Sequence, residues 1–140
     1  NFNIVHACGK GEVDKSLKLD GYYQLEYINK ELRDIIALSD IVISRAGSNA
    51  IFEFLYYKKP MILIPLPLSQ SRGDQIDNAK SFEKLGFARV LDEEEATASH
   101  LVNLLEEVYR DREEYKERMQ EIKFNNSLDI LYNNIQMYKK

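Results

Sequence analysis

The segment Met61-Ile62-Leu63-Ile64 is apolar at four successive positions, and Ile41-Val42-Ile43 is apolar at three. A strand with one face in water alternates apolar and polar side chains, so runs like these belong in a sheet covered on both faces. Sheets of that kind are mainly parallel, because their strands are joined by crossovers that lay helices over them. Further short apolar or β-branched runs fall at Asn3 to Ala7, Tyr22 to Tyr27 and Ala88 to Leu91, each about the length of a strand. The first of these, Phe2-Asn3-Ile4-Val5-His6-Ala7, reads as a buried strand.

Helical spacing fills the intervals. Leu32, Ile35, Ile36 and Leu38 share a face in Glu31 to Leu38; Asn49 to Tyr57 follows; and Gln75 to Leu85 is stopped by Gly86, a common residue just past a helix end. The alternation predicts an α/β fold with a Rossmann-like, mainly parallel sheet and helices on both faces. From about residue 98 the strands cease. Ala98 to Tyr109 and Glu113 to Lys123 read as charged surface helices, the first with Leu101, Leu104, Leu105 and Val108 on one side. Ser127 to Tyr138 sets Leu128, Leu131, Tyr132, Ile135 and Tyr138 on one helical face, which needs a partner surface.

At 140 residues with 44% hydrophobic content, the chain is long enough for one core and short for two ordinary domains, so residues 1–140 are expected to form one unit. With 19 basic and 23 acidic side chains the net charge is −4, which supplies no field to draw nucleic acid. Cys8 is the single cysteine, so no internal disulfide forms, in keeping with a reducing compartment. No apolar run approaches the roughly 20 residues needed to span a bilayer. The start at Asn1, directly before a strand, leads us to expect a fragment of a longer protein.

Ligands of open parallel sheets bind beyond the carboxyl ends of the strands, where loops enter helices. After Ser44 the loop reads Arg45-Ala46-Gly47-Ser48-Asn49. Gly47 permits close approach of a ligand to the backbone, Ser48 or Asn49 is expected to cap the helix, and the free N–H groups with the positive dipole end suit a diphosphate. Glu53 stands in the same helix among Ile51, Phe52, Phe54 and Leu55, where a carboxylate calls for a hydrogen-bonding partner such as a ribose diol. An ordinary cap followed by a solvated Glu53 has the same local spacing.

The loop after the next strand carries Pro65, Pro67, Ser69, Gln70, Ser71, Arg72 and Gly73, and Asp74-Gln75-Ile76-Asp77-Asn78 opens a helix with Asp74 as the expected N-cap. Gln75 and Asn78 are three apart, so both amides lie on one face of the first turn, able to read sugar hydroxyls. Polar residues crowd many helix starts, but two such loops at successive strand ends make a stronger pattern than either alone. Cys8-Gly9-Lys10-Gly11 lacks the dinucleotide and phosphate-loop glycine spacings. Asp92-Glu93-Glu94-Glu95 reads as a solvated acidic run favouring a helix start rather than a metal site. His6 reads as a packed or hydrogen-bonded residue, His100 as exposed, and no nucleophile–base arrangement is present, so no catalytic residue, metal site or cofactor is expected.

Taken in order, Ser39 to Glu53 (SDIVISRAGSNAIFE), Lys59 to Pro65 (KPMILIP) and Asp74 to Ala79 (DQIDNA) resemble the C-terminal domain of the MurG family. Its members are the bacterial UDP-N-acetylglucosamine:N-acetylmuramyl-(pentapeptide) pyrophosphoryl-undecaprenol N-acetylglucosaminyltransferases of peptidoglycan synthesis. The resemblance covers nearly the whole chain, and its motifs are specific to the wider two-domain GT-B glycosyltransferase class. It implies the C-terminal half of a GT-B enzyme, truncated at its N-terminus, that binds UDP-N-acetylglucosamine (UDP-GlcNAc).

By the same resemblance, the Ile28 backbone pairs with the uracil, and Arg45 belongs to the substrate-binding loop. The backbone of Ala46, Gly47 and Ser48 holds the diphosphate, Glu53 the ribose hydroxyls, and Asp74 and Gln75 the sugar, with Asn78 supporting the turn. Family members often open that last helix with two glutamines or with histidine and glutamine, where this chain has Asp74-Gln75. The implied reaction is an inverting, metal-independent transfer to a lipid-linked muramyl-pentapeptide bound by an N-terminal domain. That domain would also carry the base and the peripheral membrane contact on the cytoplasmic face. The chain alone is then expected to be inactive as a hexosyltransferase. The alternative is a non-catalytic UDP-sugar-binding subunit or module of another GT-B transferase or epimerase.

Overall fold

The computed structural model describes residues 2–122, and the chain divides between Leu38 and Ser39 into two compact units. In the first, β1 (Ile4–Ala7) pairs in parallel with β2 (Tyr22–Leu25), from Ile4 opposite Tyr22 to Ala7 opposite Leu25, and α1 (Leu32–Leu38) follows. A parallel pair needs a crossover rather than a tight hairpin. Here residues 8–21 supply it as a string of turns, not a helix. The Gln24 amide braces it, accepting from Asp14 N and donating to Asp14 O, both at 3.0 Å.

β1 is exposed along its length, with Ile4 and Val5 at 45% and 44%, against the burial expected from its apolar sequence. Two strands alone cover little of either face. His6 is exposed and hydrogen-bonded through Nδ1 to the Tyr22 hydroxyl at 2.7 Å.

In the second unit, β3 (Val42–Ser44), β4 (Met61–Leu63) and β5 (Ala88–Val90) form a wholly parallel sheet in the order β3-β4-β5. Helices α2 (Ser48–Tyr56) and α3 (Asp74–Lys84) make the crossovers; α4 (Ala98–Arg110) and α5 (Arg112–Gln120) follow a short 3-10 turn at Glu93–Glu95. The parallel α/β architecture read from the alternation is present, as two sheets rather than one.

β4 is central and fully buried at Met61, Ile62 and Leu63, as its unbroken apolar run requires. β3 differs: it lies at the edge of its sheet, and Ile43 is 45% exposed where burial on both faces was expected. An apolar run shows that a strand tolerates double-sided cover, and position in the sheet decides whether it receives it.

The core around β4 draws Ile51 and Leu55 from α2, Ala79 and Phe82 from α3, Leu104 and Val108 from α4, and Tyr115 and Met119 from α5. Phe82 meets Phe52 edge-on at 5.8 Å between ring centres and Phe87 at 6.4 Å. Gly86 takes the left-handed conformation just past α3, at φ 77, as its place in the sequence predicts. Thr97 caps α4 by accepting from His100 N at 3.1 Å. The helix expected over Ser127 to Tyr138 lies outside the described residues.

Candidate functional site

The carboxyl ends of β3 and β4 open into two loops, residues 45–47 before α2 and residues 64–73 before α3. Gly47, with extended backbone at φ −69 and ψ 135, is the N-cap of α2, and no side chain caps this helix. Ser48 and Asn49 were the expected caps. Both already have helical backbone, from which a side-chain oxygen cannot return to the N–H groups of its own first turn in the capping geometry. Those N–H groups therefore point outward uncapped, at the positive end of the helix dipole.

The glycine at 47 is not demanded by the protein's own packing. A Cβ built there meets nothing within 4 Å, and its φ is open to any residue. What the missing Cβ leaves is room for something outside the chain to approach the backbone.

At α3 the N-cap is Gly73, in the left-handed region at φ 90, and not Asp74, which is the first helical residue and exposed. The turn before it is held by Ser71, whose hydroxyl lies 3.2 Å from Leu66 O, Pro67 O and Gly73 N, accepting from the last. Gln75 Oε1 accepts from Leu66 N at 3.1 Å, which fastens the β4–α3 loop to the helix it enters.

One turn further, Asn78 is turned inward. It is the single buried polar side chain among the described residues, at 6% exposure, and its Nδ2 donates to Ala46 O at 3.1 Å. The amides of Gln75 and Asn78 thus do not face outward together. One holds its own loop, and the other ties α3 to the loop between β3 and α2.

Glu53 lies in the second turn of α2, half-buried, and its carboxylate accepts no hydrogen bond among the described residues. Arg45 leaves the end of β3 with its Nη1 donating to Ile64 O at 3.2 Å and to Glu93 Oε2 at 2.5 Å. The structure therefore sets Arg45, Ala46 and Gly47 in the loop before α2, Ser48 and Glu53 in α2, and Asp74, Gln75 and Asn78 in α3, with Arg45 and Asn78 tying the two loop-helix segments together. Ile28 belongs to the first unit. It is half-buried between β2 and α1, and its backbone N–H and C=O have no partner among the described residues.

Glu93 is the site neighbour that the sequence did not single out. It was one of four consecutive acids, and its only distinguishing mark was its place just beyond the carboxyl end of β5, next to β4.

Comparison with known proteins bears on the fold and the family. Residues 1–132 match the glycosyltransferase family 28 C-terminal domain. The chain is 54% identical over 131 residues to a Geobacillus thermodenitrificans protein named UDP-N-acetylglucosamine-N-acetylmuramyl-(pentapeptide) pyrophosphoryl-undecaprenol N-acetylglucosamine transferase, covering 93% of this chain and 37% of that protein. The proteins of the same name from Oceanobacillus iheyensis and Clostridium novyi are 54% identical over 136 residues and 44% identical over 140. They are covered to 38% and 39% of their length, against 94% and 99% of this chain, so the chain spans well under half of the relatives it matches.

Among solved structures, the glycotransferase of kitacinnamycin superposes with a TM-score of 0.69 at 24% identity, over 83% of this chain and 29% of that one, a likeness of fold. With its parallel sheet, its paired loops and a family match over nearly its whole length, the chain belongs to the glycosyltransferase family 28 C-terminal domains.

Proposed function

We propose that the chain is the donor-binding part of a UDP-N-acetylglucosamine-dependent N-acetylglucosaminyltransferase that acts on a lipid-linked muramyl-pentapeptide in peptidoglycan synthesis. The observation that carries this reading is the bond from Asn78 to Ala46 O, which joins the sugar-side helix start to the uncapped, glycine-opened start of α2. A diphosphate set against that helix start would meet backbone donors and the positive dipole end. The unpartnered Glu53 carboxylate suits the two hydroxyls of a ribose, and Asp74 with the Gln75 amide nitrogen suits the hydroxyls of a sugar. The names of the relatives support the donor and the acceptor. The assignment of uracil to the Ile28 backbone rests on the sequence resemblance and on the unused N–H and C=O of that residue.

In this reading the acceptor's C4 hydroxyl attacks the anomeric carbon with inversion while UDP departs. The α2 dipole and its N–H groups stabilise charge growing on the leaving diphosphate, a role that other glycosyltransferases give to a divalent cation. The same reading assigns the acceptor, the base and the membrane contact on the cytoplasmic face to a region outside this chain.

Calorimetry with UDP and UDP-N-acetylglucosamine tests the donor site. Binding is expected, with Glu53→Ala weakening it by about tenfold through loss of charge-assisted hydrogen bonds to the ribose. Unchanged affinity in that variant would remove Glu53 from the site. Joining the chain to the remaining part of a relative and assaying transfer, with and without a chelator, tests the chemistry; no transfer would favour a binding module.

A further inference from the structure

The guanidinium of Arg45 reaches across the carboxyl ends of two neighbouring strands. Its Nη1 donates to Ile64 O just past β4, and to Glu93 Oε2 in the turn that follows β5. Both hydrogens of that nitrogen are thereby used. The opposite edge, Nε–H with Nη2–H, meets no partner among the described residues, and the side chain is 47% exposed. That edge is one a guanidinium uses to pair with two oxygens of an anion at once.

Free in solvent, an arginine side chain spreads over many rotamers, and binding an anion has to end that freedom. Two acceptors on one nitrogen, one of them a backbone carbonyl, already restrict where this guanidinium ends. An ion pair between side chains this exposed adds little to the stability of a fold. What remains for it to supply is orientation.

We propose that Glu93 is a positioning residue, which by holding Nη1 of Arg45 presents the Nε/Nη2 edge to a phosphate oxygen of the donor's diphosphate. The inference rests on the donor reading above and adds a residue to it. Glu93 itself touches no ligand.

The test uses the full chain with UDP and uridine in calorimetry, and follows the Arg45 Nε–H resonance by NMR during titration with inorganic pyrophosphate. Glu93→Ala removes the acceptor, and Glu93→Gln retains one at the same reach. Glu93→Ala is expected to weaken UDP about two- to fivefold, the range an exposed pair can supply. Uridine affinity should not move, and Glu93→Gln should stay near the parent. Added to Arg45→Ala, the Glu93→Ala change should have no further effect on UDP. Pyrophosphate should shift the Arg45 resonance in the parent and do so less in Glu93→Ala.

Unchanged UDP affinity in Glu93→Ala overturns the proposal. So does tighter binding in both variants, which would make Glu93 a competitor for Arg45. If the parent binds neither UDP nor uridine, the donor reading fails while pyrophosphate still decides the role of Glu93: a shift at Arg45 that depends on Glu93 supports it, and no shift overturns it.

Discussion

Two glycines open the two site helices, and they are glycine for different reasons. Gly73 sits at φ 90, where an L side chain is strained, and a Cβ there would stand 3.1 Å from Leu68 Cδ2. Gly73→Ala is expected to cost about 1–2 kcal/mol of stability. Gly47 has an ordinary φ and open space, so Gly47→Ala should leave the fold intact, the gain of about 0.4–1 kcal/mol from a narrower unfolded ensemble being offset by the poorer fit of alanine at an N-cap. The same methyl group occupies the approach to the uncapped N–H groups, and UDP affinity should fall. Denaturant melts beside calorimetry on the two variants separate the cases. A Gly47→Ala protein that binds UDP as tightly as the parent would end the ligand explanation for this glycine.

At the scale of elements, α3 joins the two loops of the site. Its first two turns send Gln75 to the loop after β4 and Asn78 to the loop after β3. Asn78→Ala leaves a buried carbonyl at Ala46 without its donor, a loss of about 1–3 kcal/mol. Amide exchange in residues 45–48 should quicken, and UDP binding should weaken although Asn78 need touch no ligand. Unchanged exchange there would show that the loop does not depend on the bond.

Most of the elements were legible beforehand, because β4 is an unbroken apolar run, β3 and β5 lie in short, largely apolar runs between helical stretches, and Gly86 marks the end of α3. The caps were not. Ser48, Asn49 and Asp74 are all good capping residues, and each helix starts one or two residues earlier than they would need to cap it, on a glycine. Nor was the direction of Asn78 legible. Spacing three from Gln75 places two amides near one another on a helix, but which of them turns inward depends on what the neighbouring loop leaves unsatisfied. Arg45 and Glu93 stand 48 residues apart, and only the placing of β3 and β5 on either side of β4 lets them meet.

For the whole molecule, the two units differ in how far they bury their strands. Every residue of β4 is fully buried, whereas β1 is exposed throughout. Native-state hydrogen exchange should therefore give Met61 to Leu63 the highest opening free energies in the chain and Ile4 to Ala7 markedly lower ones. Equal protection in the two would contradict the burial pattern.

The residues of the second unit from Arg45 to Glu93 form one uninterrupted stretch of sequence that includes its own sheet centre. Such a stretch can be exchanged between related proteins as a cassette, carrying loops, cross-ties and β4 together. Chimeras cut at its ends test whether choice of donor travels with it, while grafts of either loop alone would arrive without the amide that holds the other.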